Sequence, residues 1–277
     1  MSNFLVNLGK GFVHRSKKIF QRPYSVFDIG WAKEKILKHQ TDHKLKFHIF
    51  KKKYKVTFRD GPVFLVSITE LFINEFYKFV ATTEMPRIID CGSYIGTSIL
   101  YFKTQYPNAK VSGFEPDPAN YELVRQNLEN WKFSDTTVTN AAIWINNESL
   151  AFDSKGSMGS KLDADNKDGD NKKVVKCIRL RDLLDEDIDF LKIDIEGAEY
   201  AVLQDCSDKL EKVKNLFVEY HGLYSENYKL NEILNILRTN KFNYYIKEGS
   251  PVYKRPFWDR ERTGDYDIIL NIFAFKN

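Results

Sequence analysis

The chain has 277 residues, 43% of them hydrophobic, and a net charge of +4, a composition typical of a globular protein. No run of 18 apolar residues is present, so we expect no transmembrane helix, and the N-terminus lacks the features of a secretory signal. Three widely spaced cysteines favour a reducing compartment over a disulfide framework or a zinc site, and they predict a cytoplasmic protein.

The N-terminal part of the chain is strongly basic. Residues 1–60 contain 15 Lys and Arg against 4 Asp and Glu, and we predict a basic arm over residues 1–64. Phe4, Leu8 and Phe12 recur every four residues among basic side chains, a pattern typical of segments that lie on anionic membranes. We therefore expect a peripheral contact with the inner face of the membrane, and the alternative is a short helix that packs on the main domain.

Beyond the arm, the pattern predicts alternating strands and helices. Residues 51–58 indicate a strand or hairpin edge without a nucleic-acid recognition motif, so no nucleic-acid partner is expected. Residues 67–82 have the apolar spacing of a helix. Strands are predicted near 87–91, 110–115, 136–143, 189–194, 214–220, 242–247 and 267–275, and helices near 95–106, 117–131, 198–211 and 228–240. Such alternation predicts a largely parallel sheet with helices on both faces.

The alternation is interrupted between residues 146 and 174. This stretch is polar, and we predict a mobile loop whose segment 156–161 folds over the site as a lid. Its acidic residues suggest a calcium loop, but Gly169 at the invariant glycine position would place Ala164 and Val175 at the first and last ligand positions. Neither side chain can bind calcium, so this interpretation fails.

A strand, a glycine-containing turn and a helix start follow residue 86. Gly92 and Gly96 lie in the turn, and Glu115 ends the next strand, where nucleotide-binding α/β folds place the acid that binds a ribose. A dinucleotide fingerprint needs three glycines, but Tyr94 and Thr97 stand at the second and third positions. This disfavours a standard NAD or FAD site and favours another nucleotide-like ligand, with a turn that serves packing alone as the alternative.

Two later strands also end in residues that can take part in chemistry. Asp194, Glu196 and Glu199 follow one buried strand, and Glu219 and His221 end the next. The carboxyl ends of parallel strands meet at one rim of a sheet, so we expect these side chains to lie together. Carboxylates beside an imidazole suit proton abstraction or metal binding.

Taken together, these motifs resemble the FkbM family of class I S-adenosylmethionine (SAM) dependent methyltransferases over about residues 65–245. The residues that carry the resemblance are Ile-Ile-Asp-Cys-Gly-Ser-Tyr-Ile-Gly, Phe-Glu-Pro-Asp-Pro, Asn-Ala-Ala-Ile, Leu-Lys-Ile-Asp-Ile-Glu-Gly-Ala-Glu and Glu-Tyr-His, in this order. The resemblance implies a doubly wound, mostly parallel, seven-stranded Rossmann-like sheet over residues 65–277. It also implies O-methylation, commonly of sugar hydroxyls in glycans or of natural products.

The resemblance further implies a role for individual residues. Asp90, Gly92, Tyr94 and Gly96 would surround the methionine part of SAM, and Glu115 would bind the ribose. Asn140, Ala141 and Ala142 would lie near the adenine, and Asp194 would lie near the sulfonium. The other predicted cofactor-binding residues are Ser93, Thr97 and Pro116. Glu196, Glu219 and His221 would face the acceptor. We expect His221 to be the general base, oriented by Glu219 or Asp194. A structural role for His221 is one alternative, and a Mg²⁺ or Mn²⁺ ion held by Asp194, Glu196, Glu219 or His221 is another.

The sequence therefore predicts an O-methyltransferase that acts on a sugar hydroxyl of a glycan or of a lipid-linked precursor. A natural-product O-methyltransferase and a catalytically silent SAM-binding protein docked by its basic arm are the alternatives. Methylation of nucleic acid is disfavoured, because the Asn/Asp-Pro-Pro-Tyr signature of amino-directed enzymes is absent where Asp-Ile-Glu-Gly stands.

Overall fold

A computed structural model describes residues 27–40, 42–153, 161–162, 172–259 and 264–277. The chain divides into two compact units, Met1–Phe76 and Tyr77–Asn277. The predicted arm boundary after residue 64 stays a prediction, and the amphipathic segment at residues 4–12 lies outside the described residues. None of the described helices combines the length and the apolar character that a membrane span requires.

The described part of the first unit contains two helices and a hairpin, namely α1 (Trp31–Lys38), β1 (Lys46–Phe50), β2 (Tyr54–Phe58) and α2 (Gly61–Ile68), followed by a π-helical turn (Thr69–Ile73). The antiparallel pair β1–β2 confirms the predicted hairpin. The helix predicted at 67–82 is wrong in both bounds. The helix begins earlier than predicted because Asp60 caps the first turn of α2 by accepting a hydrogen bond from the N–H of Val63. The helical stretch also ends earlier, because Glu75 has a φ of 52°, a left-handed conformation that is incompatible with a right-handed helix.

The second unit contains the remaining strands and helices. In chain order they are β3 (Arg87–Cys91), α3 (Thr97–Gln105), β4 (Lys110–Phe114), α4 (Pro118–Trp131), β5 (Thr136–Thr139), β6 (Ala142–Trp144), β7 (Ser149–Asp153), β8 (Lys161–Leu162), β9 (Lys172–Arg179), β10 (Ile188–Ile193), α5 (Glu199–Asp205), β11 (Val213–Gly222), α6 (Tyr228–Thr239), β12 (Asn243–Glu248) and β13 (Ile268–Phe275).

Seven of these strands form one sheet in the order β12-β13-β11-β10-β3-β4-β5. Strand β13 runs antiparallel to both neighbours, whereas the other adjacent pairs are parallel. This confirms the predicted mostly parallel, doubly wound sheet of seven strands. Every residue of the central strand β10 is buried, as expected for a parallel strand covered on both faces.

The strand order reverses between β3 and β10. From β3 the chain proceeds through β4 to β5 in one direction, and from β10 to β11 in the other. Right-handed crossovers then place the helices of the two halves on opposite faces of the sheet. The carboxyl ends of β3 and β10 meet at this switch point, which is where open α/β sheets bind their ligands.

Three other predictions need correction. The strand predicted at 136–143 is two strands, because β6 leaves the large sheet to pair with β9. The helix predicted at 198–211 ends at Asp205, and a 3-10 helix (Ser207–Lys212) follows it. The loop predicted at 146–174 contains β7, β8 and part of β9, which form a four-stranded sheet with β6.

The small sheet forms because its strands carry apolar residues that pack together. Val175 and Cys177 are buried against Ala142, with Trp144 and Leu150 partly buried beside them. Residues 154–160 and 163–171 lie outside the described residues. The predicted lid segment 156–161, apart from Lys161, and most of the rejected calcium loop, residues 164–175, lie in these gaps.

Candidate active site

The turn after β3 depends on glycine at two positions. Gly92 and Gly96 have φ angles of +88° and +85°, the left-handed region that glycine adopts without a steric penalty. A Cβ atom on Gly92 would lie 2.0 Å from the backbone oxygen of Asp194, and one on Gly96 would lie 2.7 Å from the side chain of Val124. Gly92 therefore lets the ends of β3 and β10 approach each other closely at the switch point.

Glu115 links this turn to the end of β4. Its carboxylate is buried and accepts hydrogen bonds from the backbone N–H of Tyr94 (2.8 Å) and of Asp117 (3.0 Å). Burial raises the pKa of Glu115 to about 8, although these hydrogen bonds oppose the shift. The acid predicted to bind the ribose thus lies directly against the glycine turn.

The residues predicted near the adenine lie on the neighbouring segment. The side-chain amide of Asn140 donates hydrogen bonds to the backbone oxygens of Glu115 (2.9 Å) and Pro116 (3.1 Å). Ala141 and Ala142 are buried. The segment is therefore attached to the end of β4, and its contact with adenine stays a prediction.

Asp90 and Lys192 form a buried ion pair close to the turn. The hydroxyl of Ser98 donates to Asp90 (2.6 Å), and Nζ of Lys192 lies 3.4 Å from the other carboxylate oxygen. Nζ of Lys192 also donates to the backbone oxygen of Gly92 (2.6 Å) and lies 3.2 Å from Asp194. Burial lowers the pKa of Lys192, but the carboxylates of Asp194 and Asp90 outweigh this effect and raise the pKa on balance. Lys192 is therefore a cation that connects β3 with β10.

The sequence analysis assigned no role to Lys192. Its signal was a lysine within the apolar run Phe-Leu-Lys-Ile of a buried strand, where a charge needs a partner. Asp90 was predicted to contact the methionine part of SAM. Its carboxylate is fully buried and engaged by Ser98 and Lys192, so its observed contacts support the turn.

His221 is buried between two carboxylates. Its Nδ1 lies 3.0 Å from Glu199, and its Nε2 lies 3.6 Å from Glu196. Burial lowers the pKa of His221, but Glu199 and Glu196 more than offset this and raise it to about 10. Burial also raises the pKa of Glu196 to about 8, against the opposing effect of the imidazole. The imidazole is therefore protonated near neutral pH.

Glu199 is the residue that holds the imidazole. The sequence analysis expected Glu219 or Asp194 in this role. The buried carboxylate of Glu199 also accepts hydrogen bonds from the backbone N–H of Gly197 (3.0 Å) and of Ile195 (3.2 Å). Glu199 is the first residue of α5, where a negative charge is favourable. One side chain therefore shapes the turn after β10 and orients the histidine of β11.

Tyr266 also reaches the site, and the sequence carried no signal for it. Its hydroxyl donates to the backbone oxygen of Glu196 (2.6 Å), and its ring lies 4.8 Å from the ring of His221. A Cβ on Gly197 would lie 3.2 Å from the tyrosine hydroxyl, so the glycine leaves room for this contact. The segment before β13 thus forms one wall of the site.

Three of the residues predicted to be catalytic or metal-binding converge at one point. Asp194, Glu219 and His221 each offer a ligand atom, and these atoms lie within 4.8 Å of one another. Two carboxylates and an imidazole form a donor set that suits Mn²⁺ and, less well, Mg²⁺. The contact between Nδ1 of His221 and Glu199 is the outer contact that commonly orients a histidine ligand. Glu196, the fourth predicted metal residue, is not part of this set.

Comparison with known proteins identifies the family. The chain matches the Methyltransferase FkbM domain over residues 90–244, more than half of its length. The chain belongs to the FkbM family. This match covers the glycine turn, Glu115, Asp194, Glu219 and His221, so the motifs that resembled the family lie inside the shared domain. The FkbM-family chain is therefore a SAM-dependent methyltransferase, with SAM as its methyl donor.

Two fungal relatives and one bacterial structure are similar to this FkbM-family protein. Methyltransferase 1 of Beauveria bassiana (strain ARSEF 2860) is 29% identical over 54% of this chain and 70% of its own length. Methyltransferase sdnD of Sordaria araneosa is 30% identical over 54% of this chain and 72% of its own length. The crystal structure of methyltransferase FkbM from Methylobacillus flagellatus KT is 19% identical with a TM-score of 0.49, and the alignment covers 75% of this chain but 47% of that one.

The geometry fits SAM at the rim where β3, β4 and β10 end. The close approach of Gly92 to Asp194 brings the glycine turn beside the predicted sulfonium residue, and Glu115 lies against the same turn. Asn140 is attached to the end of β4. Gly92, Glu115, Asp194 and Asn140 thus lie along the ends of these strands. Their individual contacts with SAM stay predictions.

Proposed function

We propose that this protein is an O-methyltransferase that methylates a sugar hydroxyl of a glycan or of a glycolipid precursor. The cluster of Asp194, Glu219 and His221 beside the predicted SAM site is the observation that carries the proposal. An alcohol is a weak nucleophile, so its methylation benefits from groups that remove or stabilise its proton. The choice of a sugar comes from the resemblance to the FkbM family.

SAM supplies a methyl group on a positively charged sulfur. The protein must hold the acceptor oxygen in line with that methyl group and take up the hydroxyl proton. We assign Nε2 of His221 as the atom that takes up this hydroxyl proton, because Nδ1 faces Glu199. In the free protein the carboxylates of Glu199 and Glu196 raise the pKa of His221, which favours the protonated imidazole. Its pKa is expected to fall when a cationic group binds beside Asp194, because a nearby positive charge disfavours the imidazolium.

A divalent cation is a second way to activate the hydroxyl at the same place. Asp194, Glu219 and His221 would hold Mg²⁺ or Mn²⁺, and such an ion lowers the pKa of an oxygen bound to it. Glu199 supports this role as well as the base role, because it fixes the ring through Nδ1 in both. Chelation distinguishes the two roles, since a base needs no metal.

The proposal is tested on the glycans of the source cell. Purified protein and isotopically labelled SAM are incubated with glycans and lipid-linked glycans from cells that lack the protein, and mass spectrometry locates the labelled methyl group. Transfer to a sugar hydroxyl supports the proposal. Transfer to a non-sugar hydroxyl favours a natural-product acceptor, and transfer to nitrogen contradicts the proposal. Binding of S-adenosylhomocysteine (SAH) without transfer to any acceptor favours a silent SAM-binding protein. The expected absence of a nucleic-acid partner stays a prediction.

A further inference from the structure

The loop that joins β12 to β13 carries two exposed aromatic side chains. Phe257 is 95% exposed and Trp258 is 76% exposed, more than any other aromatic side chain in the described part of the chain. Adjacent apolar side chains that are this exposed and bordered by polar residues are typical of a surface that contacts a membrane or another protein. The pair is therefore a candidate contact surface.

The turn that carries this pair, which we call the aromatic turn (residues 255–259), is closed by Arg255 and Asp259. The backbone N–H groups of Trp258 and Asp259 donate to the backbone oxygen of Arg255, at 2.9 and 2.8 Å. In return, the carboxylate of Asp259 accepts hydrogen bonds from the backbone N–H (2.8 Å) and the guanidinium group (2.8 Å) of Arg255. The guanidinium carbon lies 5.8 Å from the centroid of the Trp258 ring. The turn is therefore pre-formed, which lowers the entropy lost when it binds a partner.

The base of the loop is attached to the large sheet. The hydroxyl of Tyr253 donates to the carboxylate of Asp267 (2.7 Å), and the backbone N–H of Asp267 donates to the backbone oxygen of Gly222 (2.9 Å). The ring of Tyr253 also stacks on that of Tyr224, with centroids 5.8 Å apart. Because Gly222 is the last residue of β11, these contacts fix the loop to the sheet. A contact made by the aromatic turn therefore holds the unit that carries the predicted active site.

Basic residues accompany the aromatic pair. Lys254 and Arg255 are exposed shortly before it, and residues 254–262 contain 4 Lys and Arg against 2 Asp and Glu. Trp is enriched at the interface between water and lipid, and basic side chains are attracted to the headgroups of anionic lipids. The aromatic turn therefore combines an apolar surface with positive charge, the two features of interfacial membrane binding.

The small size of this apolar surface favours a bilayer over a protein partner. Two aromatic side chains bury at most about 500 Å². A specific protein–protein interface buries about 800 Å² on each partner, which the pair alone does not supply. A bilayer needs no complementary surface, and interfacial segments enter it by only about 5–10 Å. Two side chains on a short turn are sufficient for such a contact.

We propose that the aromatic turn inserts Phe257 and Trp258 into the interface of an anionic membrane. The proposal goes beyond the proposed function, because it does not depend on the acceptor. It is also separate from the predicted contact of the basic arm, because the turn belongs to the second unit, Tyr77–Asn277. Two attachments on one chain would act together, so the loss of either would weaken binding.

The first test locates Trp258 relative to the bilayer. The full-length protein is mixed with vesicles of phosphatidylcholine and phosphatidylglycerol, with or without bromine on the acyl chains. Bromine quenches the fluorescence of a tryptophan that enters the bilayer. The chain contains 4 tryptophans, of which Trp31 is also exposed, at 61%, so Trp31→Phe is the matched control. We expect Trp258→Phe to lose more of the quenching than Trp31→Phe does.

The second test measures affinity for the same vesicles by co-sedimentation. The double variant Phe257→Ser, Trp258→Ser should bind about 10- to 100-fold more weakly, because two apolar side chains no longer enter the bilayer. The double variant Tyr244→Ser, Tyr245→Ser, at two exposed residues of β12, is the matched control and should bind as the native protein does. Vesicles of phosphatidylcholine alone should bind the native protein more weakly, because they lack anionic headgroups.

Any of three results would overturn the proposal. They are native vesicle affinity in Phe257→Ser, Trp258→Ser, equal quenching in Trp258→Phe and Trp31→Phe, and equal affinity of the native protein for neutral and anionic vesicles. Analytical ultracentrifugation without lipid tests a protein contact instead. If the native protein self-associates and the Phe257→Ser, Trp258→Ser variant does not, a second copy covers the turn and the membrane assignment fails. Native SAH binding by the variants shows that they are folded, and the cell-glycan experiment tests the proposed function separately.

Discussion

Oε1 of Glu199 lies 3.0 Å from Nδ1 of His221, and the same carboxylate accepts the backbone N–H groups of the turn after β10. This pair connects the first residue of α5 to the end of β11. A change at Glu199 is therefore expected to alter both the orientation of the imidazole and the stability of the turn.

Glu199→Gln should lower turnover by about 10- to 100-fold while SAH affinity stays nearly native, because Glu199 acts by positioning His221. The variant should also unfold more easily, since hydrogen bonds to a charged group contribute about 1.5–3 kcal/mol each. Steady-state kinetics and thermal denaturation measure the two effects. Glu122→Gln, at an exposed acid of α4, is the control and should change neither. Native turnover in Glu199→Gln would contradict the positioning role.

His221→Ala should reduce turnover by about 10²- to 10⁴-fold with little change in SAM affinity, as expected for loss of a general base. If the base role is correct, a chelator leaves the native enzyme active. If a metal acts there, chelation abolishes activity, Mg²⁺ or Mn²⁺ restores it, and Asp194→Asn and Glu219→Gln are as damaging as His221→Ala. Native turnover in His221→Ala would exclude both roles for this residue.

Because Glu115 is predicted to bind the ribose, we expect the affinity for SAH to depend on pH. The carboxyl group of Glu115 has a folded-state pKa of about 8, so it is largely protonated at neutral pH. Ribose hydroxyls donate hydrogen bonds best to the ionised form, and binding therefore strengthens as the pH rises through about 8. Calorimetry of SAH binding below and above this pH measures the effect. Glu115→Gln should remove the pH dependence of this group, and Glu115→Ala should weaken binding by about 1.5–3 kcal/mol. Identical pH profiles in Glu115→Gln and the native protein would show that Glu115 does not titrate on SAH binding, and native SAH affinity in Glu115→Ala would exclude a ribose contact.

Lys192→Met should destabilise the protein by about 3–5 kcal/mol, because it leaves Asp90 and Asp194 without their buried cation. Chemical denaturation provides the free energy of unfolding. Lys209→Met is the matched control, since Lys209 forms an exposed ion pair with Asp185 that is worth less than about 1 kcal/mol. Equal stability of the two variants would show that Lys192 is not essential to the junction of β3 and β10.

Residues 1–20 should increase binding to anionic lipid, and salt should weaken it, because basic side chains accompany Phe4, Leu8 and Phe12. Co-sedimentation with liposomes that contain or lack anionic lipid compares the full chain with a variant without residues 1–20. If the two forms sediment equally, the arm is not a membrane anchor. This prediction rests on the sequence, since these residues lie outside the described part of the chain.

The sequence by itself determined the sheet and the grouping of three residues at its rim. Strand and helix periods are local, so β3, β4, β10 and β11 could be recognised from short stretches. Because parallel strands end at the same rim, Asp194, Glu219 and His221 could be placed together before their distances were known. Gly92 could be recognised as part of a tight turn.

Other features depended on contacts between distant segments. Lys192 of β10 bonds to the end of β3, which lies 100 residues earlier in the chain, and the pairing of these two strands follows from the order of the sheet. The choice of Glu199 over the predicted Glu219 or Asp194 as the partner of Nδ1 depends on the direction in which α5 begins. The helix predicted at 67–82 was wrong because the left-handed backbone at Glu75 ends the helical stretch.

The approach of Tyr266 to His221 could be decided only by the tertiary structure. It depends on the antiparallel return of β13 along β11, which brings Tyr266 to the end of the strand that carries His221. Local periodicity carries no information about which loop returns to which strand end, because that is set by the packing of the whole sheet.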